Sequence, residues 1–210
     1  QVDSLGFIYD GETRVVGAGD DRSKGTDSYT ASNAELSFGD VTFYGQSAVI
    51  MAKDSGWADF FPGIAGQVCG AFFKHFIVEF DFDEQNVILH SRDNYQYRGK
   101  GSAVTMTRDE GGGYTIPVKI KLRNKNEFTH NLSIDLGGVD AVALAISKKY
   151  GIDKPTTEKV FLGYGASGEI NGYRDNLETF KVADYELDEV SAILTVSNDD
   201  GNHTNTTIGL

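Results

Sequence analysis

Asp135 closes the apolar run Asn131-Leu-Ser-Ile-Asp135 and is followed by Leu136 and the pair Gly137-Gly138. A carboxylate delivered at the end of a strand, with two glycines letting the chain turn tightly beside it, is suited to the mouth of a cleft. In that position it could take a proton from a water or hand one to a carbonyl. Asp before Gly-Gly is also ordinary turn composition, so the local residues alone carry a modest signal.

Other combinations of chemistry-bearing residues are weaker. Gly163-Tyr-Gly-Ala-Ser-Gly168 fits the glycine spacing of a dinucleotide loop, but the residues after it, Glu169-Ile-Asn-Gly-Tyr-Arg-Asp175, present no helical apolar face. A phosphate site would need that helix. Asp81, Asp83 and Asn86 approach the pattern of a calcium loop, yet the glycine at its sixth position and the glutamate at its twelfth are missing. They read as turn residues. His75, His90, His130 and His203 have neither metal-ligand spacing nor a nucleophilic Gly-x-Ser-x-Gly nearby, which argues against zinc and Ser-His-Asp hydrolases. No metal or cofactor is expected.

Composition narrows the partners. The chain has 31 acidic and 19 basic residues and a net charge of -12, which repels nucleic acid and anionic lipid. No apolar run approaches the roughly 20 residues that span a bilayer, so a soluble globular protein without membrane insertion is expected. Cys69, the single cysteine, cannot form an internal disulfide and reads as a buried filler. Gln1 opens no charged and apolar leader, so a signal segment is absent or already removed, and a periplasmic or secreted location ranks ahead of the cytoplasm. Glycosylation sequons begin at Asn131, Asn202 and Asn205, tripeptides that arise readily by chance in a chain of this composition.

The elements that must position Asp135 come in two copies. Residues 36–50 align without a gap on residues 180–194, an offset of 184 - 40 = 144 taken at Asp40 and Asp184. At that offset Ile64, in Gly63-Ile-Ala-Gly66, falls on Ile208, and Gly17-Ala-Gly19 lies two positions from register with Gly163-Tyr-Gly165. Alternating apolar residues such as Val41 and Phe43, or Tyr185 and Leu187, bounded by Gly, Asp and Asn, predict short strands and a mostly β fold. Apolar residues at helical spacing predict short helices over 139–150 and 66–76. A polar connector divides the chain into a first lobe, 1–91, a connector, 92–112, and a second lobe, 113–210.

This order resembles the retropepsin-like and pepsin-like aspartyl proteases, and bacterial two-lobed members in particular, along most of the chain. The second copy carries Asp135-Leu-Gly-Gly138, a glycine-rich flap at Gly163-Tyr-Gly-Ala-Ser-Gly168 and an apolar-Gly segment at Ile208-Gly-Leu210. The first carries a flap at Gly17-Ala-Gly19, the segment Gly63-Ile-Ala-Gly66 and the run from Phe76 to Leu89, similar to the closing strands of bacterial members. The resemblance implies a two-lobed, acid-protease-like β-barrel fold with short helices, hydrolysing the bonds of a peptide or protein substrate. It implies that Asp135 is catalytic, and that Gly137, Gly138, Gly17, Gly19, Gly163, Tyr164, Gly165, Ala166, Ser167 and Gly168 line the substrate.

The family's chemistry uses two carboxylates sharing a proton, one acting on water while the other protonates the carbonyl. One aspartate cannot do both. The offset places the partner at 135 - 144 = -9, before Gln1, and the implied assembly draws on upstream residues, a homodimer or a second chain supplying missing elements. Leu136 stands where the family has Thr or Ser and cannot donate that residue's hydrogen bond. Gly138 replaces a small side chain. The alternative is a catalytically degenerate, protease-like module that binds peptide or protein in the same cleft.

Overall fold

The structure, a computed structural model, describes residues 8–21, 23–51, 62–108, 113–196 and 207–209. It is mostly β. Its strands are β1 (Gly11–Val15), β2 (Thr26–Phe38), β3 (Val41–Met51), β4 (Ile77–Asp81), β5 (Asn86–His90), β6 (Thr107–Arg108) and β7 (Tyr114–Leu122). They continue with β8 (Phe128–Asp135), β9 (Val142–Ala145), β10 (Val160–Gly165), β11 (Gly168–Val182), β12 (Tyr185–Thr195) and β13 (Thr207–Gly209).

The first half forms two open sheets, β1-β2-β3 and β4-β5. The second forms an eight-stranded sheet, β10-β11-β12-β9-β13-β8-β7-β6, in which β11 also pairs with β7. That extra ladder folds the sheet back on itself around one core. The expected pair of barrels is therefore corrected to three sheets among the described residues, two open and one folded back, irregular where β11 is shared and β13 is short.

The core is built by period-two alternation. In β7 the side chains of Ile116, Val118, Ile120 and Leu122 are buried while Pro117 and Lys119 face out, the period-two alternation of a half-buried strand. Leu132, Val142, Leu144, Ile152, Tyr173, Leu177, Phe180, Ala192 and Leu194 complete the cluster. Pro117 is tolerated because β6 pairs with Tyr114 and Thr115 and β11 with residues 119–122, leaving position 117 between them on that edge.

Three sequence expectations need correction. Residues 139–150 are not a helix: Val142 and Leu144 belong to β9, which runs parallel to β12, and only a 3-10 turn forms at Lys148–Tyr150. The run Val-Ala-Leu-Ala-Ile suits either period, and burial beside Ala192 and Leu194 decides for the strand. Over 66–76 only one turn of helix, α1 (Gly70–Phe73), is present, as expected where Gly66 and Gly70 carry the entropy cost of ordering glycine. Cys69, its N-cap, is exposed rather than a buried filler. Among the described residues no helix is long and apolar enough to cross a membrane.

The repeat is visible in the ladders. Leu36 faces Phe43 and Phe38 faces Val41 in the β2-β3 hairpin; Phe180 faces Leu187 and Val182 faces Tyr185 in β11-β12, each residue 144 positions on. At the far ends Tyr29 faces Ile50 as Tyr173 faces Leu194. The backbone specials recur as well: φ is 54° at Gly39 and 50° at Ala183 in the turns, 65° at Gly45 and 54° at Glu189 in the second strands. A shared register with shared left-handed positions is a structural repeat, because slipping by one residue would reverse every side chain.

His130, on β8, is 8% exposed, packs its ring 4.3 Å from that of Tyr150 and leaves Nε2 without a hydrogen-bond partner among the described residues. Burial, with help from the Lys149 charge, holds its pKa below the ordinary 6.5. The unfolded chain then binds the proton more tightly, so stability is complete above about pH 6.5 and declines as pH falls through the folded value. Denaturant unfolding of His130→Phe across this range is expected to show a shallower acid loss than the parent; identical slopes would remove His130 as a cause.

Candidate functional site

β8 delivers Asp135 half-buried at its C-terminal end. The Asp135 carboxylate turns back on its own loop: Gly137 N–H donates to Oδ1 at 3.0 Å, and Gly138 N–H donates to the Asp135 carbonyl at 3.4 Å. A Cβ at Gly138 would meet the Asp135 carboxylate at ordinary contact distance, 3.5 Å, and one at Gly137 would meet Gln67 Nε2 at 3.5 Å. Gln67 directly follows Gly63-Ile-Ala-Gly66, so the first copy's apolar-glycine segment runs close to the Asp135 turn. Leu136 is 41% exposed and Val139 94% exposed, leaving apolar surface around the carboxylate.

β13 fixes the base of this turn. It inserts between two strands of the second copy, parallel to β8 with Gly209 opposite Asp135, and antiparallel to β9 with Ile208 opposite Val142. The chain after Asp135 must therefore leave β8, turn, and re-enter the sheet beyond the inserted strand as β9. Gly137 and Gly138 lie in that crossing.

The glycine turns of the two copies meet each other. Ser167 N–H donates to the Ala18 carbonyl at 2.9 Å, Gly17 N–H to Ser167 Oγ at 3.2 Å, and Asp20 N–H to the Glu169 carbonyl at 2.7 Å. Asp20 accepts from Asn171 through both carboxylate oxygens, from N–H at 3.0 Å and Nδ2 at 3.1 Å. Thr26 Oγ1 donates to the Ala166 carbonyl at 3.2 Å. Ser167, 1% exposed, is the buried hub of this zipper. The structure thus joins Gly17, Gly19, Gly165, Ala166, Ser167 and Gly168 in one place, whereas Asp135 is engaged with its own turn and lies beside Gln67. Gly163 and Tyr164 lie on β10, where Tyr164 Oη donates to Glu169 Oε1 at 3.2 Å.

Glycine is required at two of these positions by close approach. A Cβ on Gly19, whose φ is +150°, would lie 2.3 Å from the Ser167 carbonyl, and one on Gly165 would lie 2.1 Å from the Ala18 carbonyl oxygen. Backbone cannot yield as a flexible side chain could. Gly165→Ala is expected to part the turns, raising amide exchange at Ser167 at least tenfold while exchange in β7 is unchanged. Unaltered exchange at Ser167 would show that the turns do not meet in solution.

Sequence reasoning missed Asp20, Asn171 and Gln67. Asp20 follows Gly17-Ala-Gly19 directly, and an Asp beside a glycine turn is a recognisable backbone clamp; Gln67 has no comparable signal. Among the described residues no group of three or more His, Cys, Asp or Glu side chains could hold a metal ion. Comparison of the chain with family models, with characterised proteins and with solved structures gives no match.

Proposed function

We propose that this chain is an aspartic-type endopeptidase, with Asp135 as one of two carboxylates that activate a water for attack on a peptide bond. The observation that carries the reading is β13: an apolar-glycine strand wedged between β8 and β9 beside an Asp-x-Gly-Gly turn. The resemblance puts a motif aspartate and an apolar-glycine segment in the same lobe, and here Gly209 of that segment lies directly opposite Asp135. The glycine turns at Gly17–Gly19 and Gly163–Gly168 serve as flaps over an extended peptide. The second carboxylate comes from outside the described residues or from a second chain.

A second reading is a protease-like module that binds peptide without cutting it. Leu136 favours it, because an exposed leucine cannot supply the hydroxyl that would tie two motif turns together. Incubating the intact protein with an internally quenched extended peptide between about pH 3 and 7 separates the two. Cleavage rising toward acid supports the peptidase. Saturable binding with no cleavage at any pH assigns the module.

A further inference from the structure

Oδ1 of Asp135 takes one bond from the Gly137 N–H at 3.0 Å and keeps a second acceptor position. The glycine beside it leaves that flank uncovered. The point that a Cβ of residue 137 would occupy lies 3.5 Å from Asp135 Oδ1 and 3.5 Å from Gln67 Nε2; apart from the chain neighbours, these are the atoms within 4 Å of it among the described residues. A carboxylate from the second copy and an amide donor from the first thus flank one place. The three atoms nearest the corresponding point over Gly138 all belong to Asp135, so that flank pairs the carboxylate with no second residue at this range.

The chemistry of the pair selects the occupant. An ionised carboxylate only accepts hydrogen bonds, and the amide nitrogen only donates them. A cation would suit the carboxylate and be repelled by the N–H; a peptide carbonyl would suit the N–H and bring no proton to the carboxylate. An O–H group suits both. Water supplies one, and a bound water asks for roughly two to four polar partners.

We infer that the flank of Gly137 is a water-binding site, in which one water donates to Asp135 Oδ1 and accepts from Gln67 Nε2. Gln67 is exposed, so its long side chain closes from 3.5 Å to hydrogen-bond range without moving the backbone. The site stands on this geometry; its use in hydrolysis rests on the peptidase reading. There Gln67 is a positioning residue, orienting the water while its other lone pair attacks. As the water oxygen bonds to the carbonyl carbon, its proton passes to Asp135, and the second carboxyl, entering as the acid, gives its proton to the carbonyl oxygen, leaving a neutral gem-diol.

Crystallography of the intact protein and of Gly137→Ala tests the site without reference to activity. The parent is expected to show a water within about 3.2 Å of both Asp135 Oδ1 and Gln67 Nε2. In Gly137→Ala the methyl takes that place: Gly137 is not among the positive-φ residues and its surroundings are at ordinary contact distance, so the turn is kept and the water is expected to be displaced. Peptide hydrolysis tests the role. Gln67→Leu keeps the size and loses the donor, and is expected to lower kcat about tenfold, the worth of one hydrogen bond, with KM and the urea midpoint unchanged. No water touching both groups in the parent, or the same water retained in Gly137→Ala, overturns the site. A parental kcat in Gln67→Leu where Asp135→Asn is inactive overturns the positioning role and leaves the peptidase reading standing. Absence of cleavage by every one of these proteins ends the peptidase reading instead, and the crystal structures still decide the water site.

Discussion

Peptide hydrolysis by the intact protein is expected to fall by about 10²–10⁴-fold in Asp135→Asn, the range in which a positioned acid or base contributes. The substitution is conservative where structure is concerned. Asn keeps an oxygen that can accept the Gly137 N–H bond now made to Oδ1 at 3.0 Å, so the turn and the β8–β13 pairing persist. What it loses is the ability to carry a proton between water and carbonyl. The loss should appear in kcat, with KM little changed, because peptide binding relies on flaps and backbone. The parent profile should favour acid, where a pair of carboxylates close together retains one shared proton. Full cleavage by Asp135→Asn would remove Asp135 from the mechanism, and unchanged peptide binding without cleavage in either protein would leave the binding module.

What the sequence made legible follows from which interactions are local. The alternation of Ile116, Val118, Ile120 and Leu122 announces β7 because each residue's face is fixed by its neighbours two positions away. The hairpin repeat is legible because its turns, Gly39-Asp40 and Ala183-Asp184, stand at equal distances from matching apolar residues. β9 was misread because Val142 to Ile146 satisfies two periods at once, and its partner strand begins more than 40 residues later. The zipper between the glycine turns was beyond reach for the same reason: Gly17 and Ser167 are 150 residues apart. Asp135 was legible as a turn carboxylate, while its neighbour Gln67 comes from the other copy and leaves no mark in the motif.

Tyr173→Ala is expected to destabilise the protein by about 3–5 kcal/mol, the range for emptying a buried aromatic site. Total stabilities of about 5–15 kcal/mol make that a large share. Tyr173 is 1% exposed and belongs to the same cluster as Leu177, Leu194 and Ile152. Those neighbours are held by β11, β12 and the 3-10 turn region, and they cannot all collapse into the space left behind. Tyr29→Ala, the same change at the equivalent position, is expected to cost no more than about 1 kcal/mol, since Tyr29 is 39% exposed and its ring partner is Tyr9 at 5.0 Å. Urea unfolding of both variants, compared by midpoint at constant slope, checks the contrast. Equal costs would mean that the first hairpin is covered in solution as fully as the second.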